Sequence, residues 1–142
     1  YHADILIEGE QIKAIGANLS GDITINAAGC LVFSGFIDGH THLDMPVSGT
    51  VTADDFASGS IAALAGGTTT LIDFATQDRG DTLAHTLEIW HGRADGKCSC
   101  DYGFHMAITD WNERTRAELH DMAAAGVTSF KWLLCIRCIN GK

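Results

Sequence analysis

Two histidines two residues apart close the run Gly35-Phe36-Ile37-Asp38-Gly39-His40-Thr41-His42. In an extended strand, positions i and i+2 share a face, so His40 and His42 present both imidazoles in one direction at the strand's end. That is a metal-ligand geometry, because neutral imidazole is a ready ligand for divalent transition metals. Taken alone, the pair is equally well a set of surface or hydrogen-bonded core histidines, and only its surroundings decide. A second reactive side chain, Lys131, ends the run Gly126-Val127-Thr128-Ser129-Phe130-Lys131 and sits inside the apolar stretch from Phe130 to Leu134. By itself a lysine there runs along a strand end to reach water.

The elements that position these residues fall into blocks. From about Ala3 to Leu31 the chain carries short strand-like stretches, Ile5-Leu6-Ile7, Ile12-Lys13-Ala14-Ile15 and Ile23-Thr24-Ile25, separated by Gly9-Glu10, Gly16 and Gly21-Asp22. Glycine punctuation of this kind predicts a small β meander. From Leu31 onward strands alternate with helical patterns, which argues for βαβ units and a parallel sheet. The first strand is expected over Leu31 to Ile37, and a helix from near Thr52, capped by its hydroxyl, with Ala57, Ile61 and Leu64 as its apolar stripe. Strand two is read over Thr69 to Phe74, and the following helix places Leu83, Leu87 and Trp90 on one face. Strand three spans Tyr102 to Ile108, the third helix carries Leu119, Met122 and Ala123 up to Gly126, and strand four runs from Val127 to Leu134.

The histidine pair is followed by Leu43-Asp44-Met45-Pro46, Gly49-Thr50-Val51-Thr52-Ala53-Asp54-Asp55-Phe56, Ala65-Gly66-Gly67-Thr68-Thr69-Thr70 and Ile72-Asp73-Phe74. This series resembles the dihydropyrimidinase and hydantoinase branch of the cyclic amidohydrolases, from about Ala3 to Lys131. The resemblance implies an α/β fold: the N-terminal half of a TIM-like (β/α)8 metal-dependent hydrolase barrel, residues 31–142, preceded by part of a small β-sandwich domain, residues 1–30. It implies opening of dihydropyrimidine or hydantoin rings through a binuclear metal centre and its bridging hydroxide, with two divalent metal ions, zinc by expectation. The metal residues so implied are His40, His42 and Lys131, the lysine carbamylated by carbon dioxide so that a carboxylate on a long arm bridges the two metals. Catalytic groups of such barrels lie at the carboxyl ends of the strands, where Lys131 falls.

The same resemblance assigns the catalytic aspartate and two further histidine ligands to strands beyond residue 142, so the catalytic residues are unknown within these 142 residues and the segment alone is expected to be inactive. It places a tyrosine where Ile136 stands, and the tail from Trp132 to Lys142 departs from the family pattern. Asp44 occupies a position that is arginine in the related dihydroorotases, which argues against their carboxylate substrate. Retention of His40 and His42 argues against the non-catalytic, cytoskeleton-associated relatives. A catalytically silent homologue serving as a scaffold or assembly partner is the alternative to the hydrolase. Asp38 is read as a strand-end carboxylate hydrogen-bonded to neighbouring backbone or imidazole N–H groups, a position from which it could also orient a ligand. His2, His85, His91 and His120 are read as solvated or helix-packing residues, and His105 as a core or loop-proximal histidine.

Composition narrows the class further. A content of 46% hydrophobic residues with one proline and 16 glycines is that of a chain able to bury an interior. The formal net charge of −9 speaks against nucleic acid or an anionic membrane as partner. The resemblance implies instead a small cyclic amide or ureide substrate as partner, and a homotetramer as the assembly of the complete protein. Without an initiator methionine or signal-like segment, and with no long apolar stretch, the chain is read as part of a longer cytoplasmic enzyme. Five cysteines, an odd number, suit reduced thiols. A structural zinc held by Cys98, Cys100, Cys135 and Cys138 is a competing, weaker pattern, because Cys-x-Cys is not the usual knuckle spacing.

Overall fold

The structure, a computed structural model, describes residues 2–133. The chain divides into two compact units, one up to Ser34 and one from Gly35.

In the first unit, β1 (Asp4–Glu8) and β2 (Gln11–Gly16) form an antiparallel hairpin with a register shift at Leu6/Ile7. Gly9 turns the chain at a φ of 61°, a left-handed value that glycine adopts without a Cβ penalty. The predicted third strand of the meander does not form: Ile23 and Ile25 are each 86% exposed and pair with no strand among the described residues. Without a ladder partner or a face to bury, β-branched residues do not make a strand.

The second unit is built on a parallel sheet of β3 (Phe36–Thr41), β6 (Thr68–Thr76), β7 (Asp101–Ile108) and β8 (Phe130–Trp132), in that spatial order. A short hairpin, β4 (Pro46–Val47) with β5 (Thr50–Val51), follows the first of these strands. The connections between successive sheet strands are α1 (Phe56–Ala65), α2 (Leu83–Ala94) and α3 (Glu113–Ala124). Strand order equals chain order, as expected of repeated βα units.

Several boundaries differ from those read in the sequence. The first strand starts at Phe36 rather than Leu31, because the Phe36 N–H is bonded to the carbonyl of Gly67, beside the start of β6. Helix α1 is capped by Asp55 and not Thr52: Asp55 accepts the Ser58 N–H while the Ser58 hydroxyl accepts the Asp55 N–H, a reciprocal capping box. Thr52 is occupied elsewhere, its hydroxyl accepting the Met45 N–H across the β4–β5 hairpin. The expected stripe of α1 is also rotated, with Phe56 and Ser60 buried and Ile61 and Leu64 exposed. Ala123 of α3 is exposed beside buried Met122. Among the described residues strand four is confined to Phe130–Trp132, where the ladder runs opposite Met106 to Ile108; Leu134, its expected end, lies outside the described residues.

The core lies between the helices and one face of the sheet. Phe104, Met106 and Ile108 of β7 alternate onto it and meet Leu83, Leu87 and Trp90 of α2, with Phe56, Ala75, Met122 and Val127. Burying each large apolar side chain contributes about 1.5–3 kcal/mol. The opposite face of the sheet carries the alternate residues, and these form the site.

Candidate metal centre

His40 lies within β3 and His42 one residue beyond its end. Their rings are 5.1 Å apart, edge to face at 87°, and both pack on the ring of Phe74, at 4.6 and 5.0 Å between centroids. The expected common direction of the two imidazoles is therefore present, although the strand is not regular there. Between Asp38 and Thr41 the β3–β6 register shifts: Asp38 pairs with Leu71 and Thr41 with Asp73, so three steps on β3 match two on β6. Bulges of this kind re-aim side chains beside functional sites. Asp38, as read from the sequence, uses its carboxylate to accept the His40 N–H, at 3.1 Å.

Lys131 reaches the same place from β8. It pairs with Ala107 in the ladder, and its Nζ lies 4.5 Å from the centroid of Phe74. His105 joins them from β7, its ring 4.8 Å from that of Phe74. The His105 Nε2 is bonded to the carbonyl of Gly39 at 3.0 Å, and its Nδ1 to the Ser129 hydroxyl. This side chain, read in the sequence as without a ligand role, thus braces both the residue before His40 and the segment leading to Lys131. The pairing spans 66 positions of sequence, which no local pattern signals.

Electrostatics suit a cation here. His42 Nδ1 is buried and has no hydrogen-bond partner among the described residues, an atom whose desolvation a metal bond would offset. Burial holds the His42 imidazole below its ordinary pKa; Asp73 pulls it up, while His40 and Lys131 push it further down. A lowered value favours the neutral ring, the form that ligates metal. Among the described residues no three His, Cys, Asp or Glu side chains converge closely enough to enclose an ion. What the two histidines and Lys131 share is the Phe74 ring.

Around them lies an open recess of about 500 Å³. Its walls include His42, Phe74 and Lys131 on the site side and Met45, Val47 and Trp90 on the apolar side. Asp44 adopts a left-handed φ of 48°, donates its N–H to Asp54 and offers its carbonyl to Arg93 of α2 at 2.6 Å. The other histidines behave as expected of surface and helix residues: His85 pairs with Asp81 and His91 with Asp95, each at i,i+4. Cys98 and Cys100 are partly buried free thiols. Cys135, Ile136 and Cys138 lie outside the described residues.

Parallel strands joined by helices, with two imidazoles and a lysine gathered on one face near the strands' carboxyl ends, make a segment of a (β/α) barrel. Residues 31–128 match the model of the amidohydrolase family, and the chain belongs to that family. It is 52% identical over 134 residues to a D-hydantoinase of Geobacillus stearothermophilus, covering 92% of this chain and 28% of that protein. Against a dihydropyrimidinase of Rattus norvegicus the identity is 41%, over 95% of this chain and 28% of the relative. The crystal structure of dihydropyrimidinase from Brevibacillus agri NCHU1002 superposes with a TM-score of 0.90 at 42% identity, covering 98% of this chain and 31% of that one. The fold is thus that of the first part of a TIM barrel with preceding β strands, and the chain spans about 30% of the length of these relatives.

Proposed function

We propose that this chain is part of a metal-dependent hydrolase that opens the rings of cyclic amides and ureides, dihydropyrimidines or hydantoins. The observation that carries the reading is the convergence of His40, His42 and Lys131 on the single ring of Phe74. Named activities of the similar proteins, D-hydantoinase and dihydropyrimidinase, support the substrate class.

His40 and His42 would hold one metal, and Lys131, once its neutral amine has added carbon dioxide and lost a proton, would offer a carbamate to two. Divalent cations, zinc by expectation, supply polarisation of a ring carbonyl and acidify water towards a pKa of about 7. The protein's own part is positional. Phe74 floors the site, His105 and Asp38 hold the carbonyl and the N–H of the Gly39–His40 peptide, and the recess receives the ring. In the overall reaction water adds to the carbonyl carbon, the ring C–N bond breaks, and the departing nitrogen takes the proton, leaving a ureido acid. An aspartate for that proton transfer is expected outside the 142 residues. We also propose a homotetramer as the assembly of the whole protein and the cytoplasm as its location.

The test is direct: the complete gene product, loaded with zinc in the presence of bicarbonate, is assayed with dihydrouracil and hydantoin. Ring opening of either, abolished by His42→Ala, is expected; a metal-loaded protein that opens neither contradicts the proposal.

A further inference from the structure

Asp73 stands in the middle of an apolar parallel strand, fully buried, and forms no ion pair among the described residues. A buried carboxylate without a cationic partner is costly, and an apolar or amide side chain would fill the space at lower cost. Its contacts show what it does. One oxygen, Oδ2, accepts both the Thr41 hydroxyl at 2.9 Å and the Leu43 N–H at 2.8 Å, while Oδ1 accepts the N–H of Phe74 at 2.7 Å.

Thr41 and Leu43 are the two residues flanking His42. Side chains alternate along the extended chain, so the His42 ring stands on the Phe74 side while its neighbours are held from the other. Thr41 is also the first residue back in register after the β3 irregularity, paired with Asp73 itself. One carboxylate therefore closes the bulge and fastens both shoulders of His42 to the strand that carries Phe74. Leu43 is seated as well, its Cδ2 lying 2.5 Å from where a Cβ on Gly59 of α1 would be.

We propose that Asp73 is a positioning residue that sets the direction of His42 as a metal ligand. The inference rests on the metal-centre reading above, and it assigns to Asp73 a role in metal geometry beyond holding the fold. Groups that orient ligands typically change metal affinity by about 10–100-fold when removed.

The test uses the complete gene product, stripped of metal and reloaded with cobalt(II), as wild type, Asp73→Asn, Thr41→Val and Thr41→Ser. Unfolding of the metal-free forms is measured alongside. Wild type is expected to take up cobalt and show its d–d absorption. Asp73→Asn and Thr41→Val shift those bands and release cobalt to a chelator about 10-fold faster or more. Thr41→Ser, which keeps the hydroxyl, behaves as wild type. A purely structural role would alter unfolding but leave the cobalt spectrum of the folded variants unchanged, and that result overturns the inference while the metal-centre reading stands. Should Asp73→Asn fail to fold, Thr41→Val carries the comparison by itself. A folded wild type that takes up no cobalt overturns the metal-centre reading and this inference together.

Discussion

The Nζ of Lys131 lies 4.5 Å from the centre of the Phe74 ring, on the same aromatic floor that supports His40 and His42. Phe74 is 5% exposed, so its ring joins the site residues of β3, β7 and β8 through close packing. Replacing it by alanine leaves a cavity that the surrounding strands only partly fill. Phe74→Ala is expected to lose about 3–5 kcal/mol of stability in denaturant titrations and to weaken metal binding with it.

A close approach at the start of β3 provides an independent check on the sheet. A Cβ on Gly35 would lie 2.0 Å from the Thr69 Oγ1, 2.4 Å from its Cγ2 and 2.7 Å from its Cβ. Rotation of the threonine cannot relieve all three contacts, so the two strands must separate. Gly35→Ala is therefore expected to destabilise the protein by about 1–3 kcal/mol, and Gly35→Ala combined with Thr69→Gly to recover much of that loss in urea unfolding.

Near the amino end of β7, Tyr102 donates its hydroxyl to Asp95, and that bond, with burial and the negative charge, pushes the phenol up to about 12. Because the folded value exceeds the ordinary 10.0, the contribution is intact below pH 10 and fades as the pH rises towards 12, where the unfolded chain has already released its proton. Ultraviolet titration of tyrosinate should show one late-ionising group, and Asp95→Asn should move it down. An unchanged titration in that variant contradicts the assignment.

Thiol chemistry separates the cysteines. Burial pushes Cys98 up to about 11, whereas Cys30 is exposed. Thiolate is the nucleophile, so iodoacetamide at mildly alkaline pH is expected to label Cys30 well before Cys98, read by peptide mass spectrometry.

Much of this architecture is legible in the residues. The stretch from Thr69 to Phe74, rich in β-branched and apolar residues, announces a parallel strand, which forms as β6 with Leu71, Asp73 and Phe74 buried, and Leu83, Leu87 and Trp90 announce the buried face of α2. What escapes is decided by tertiary competition. Thr52 has the chemistry of a helix cap, yet the Met45 N–H claims its hydroxyl and the cap falls three residues later, on Asp55. Ile61 and Leu64 have the spacing of a core stripe, yet the docking of α1 turns Phe56 and Ser60 inward. His105 acts on Gly39, far along the chain, so its bracing role follows only from the strand order β3-β6-β7. Asp73 did carry a signal, a charge in the interior of an apolar strand, and such a charge calls for partners.

In the proposed centre Lys131 is a carbamylated bridge beside His40 and His42. The most direct measurement is metal content and ring-opening activity of the complete gene product prepared with 13C-labelled bicarbonate, as wild type and as Lys131→Ala, with a carbon-13 spectrum of each. Two metals per chain, hydrolysis of a cyclic ureide and a labelled carbamate signal are expected in wild type, and loss of all three in Lys131→Ala. A Lys131→Ala protein that keeps both metals and its activity, or an active wild type without a carbamate, would contradict the proposed bridge.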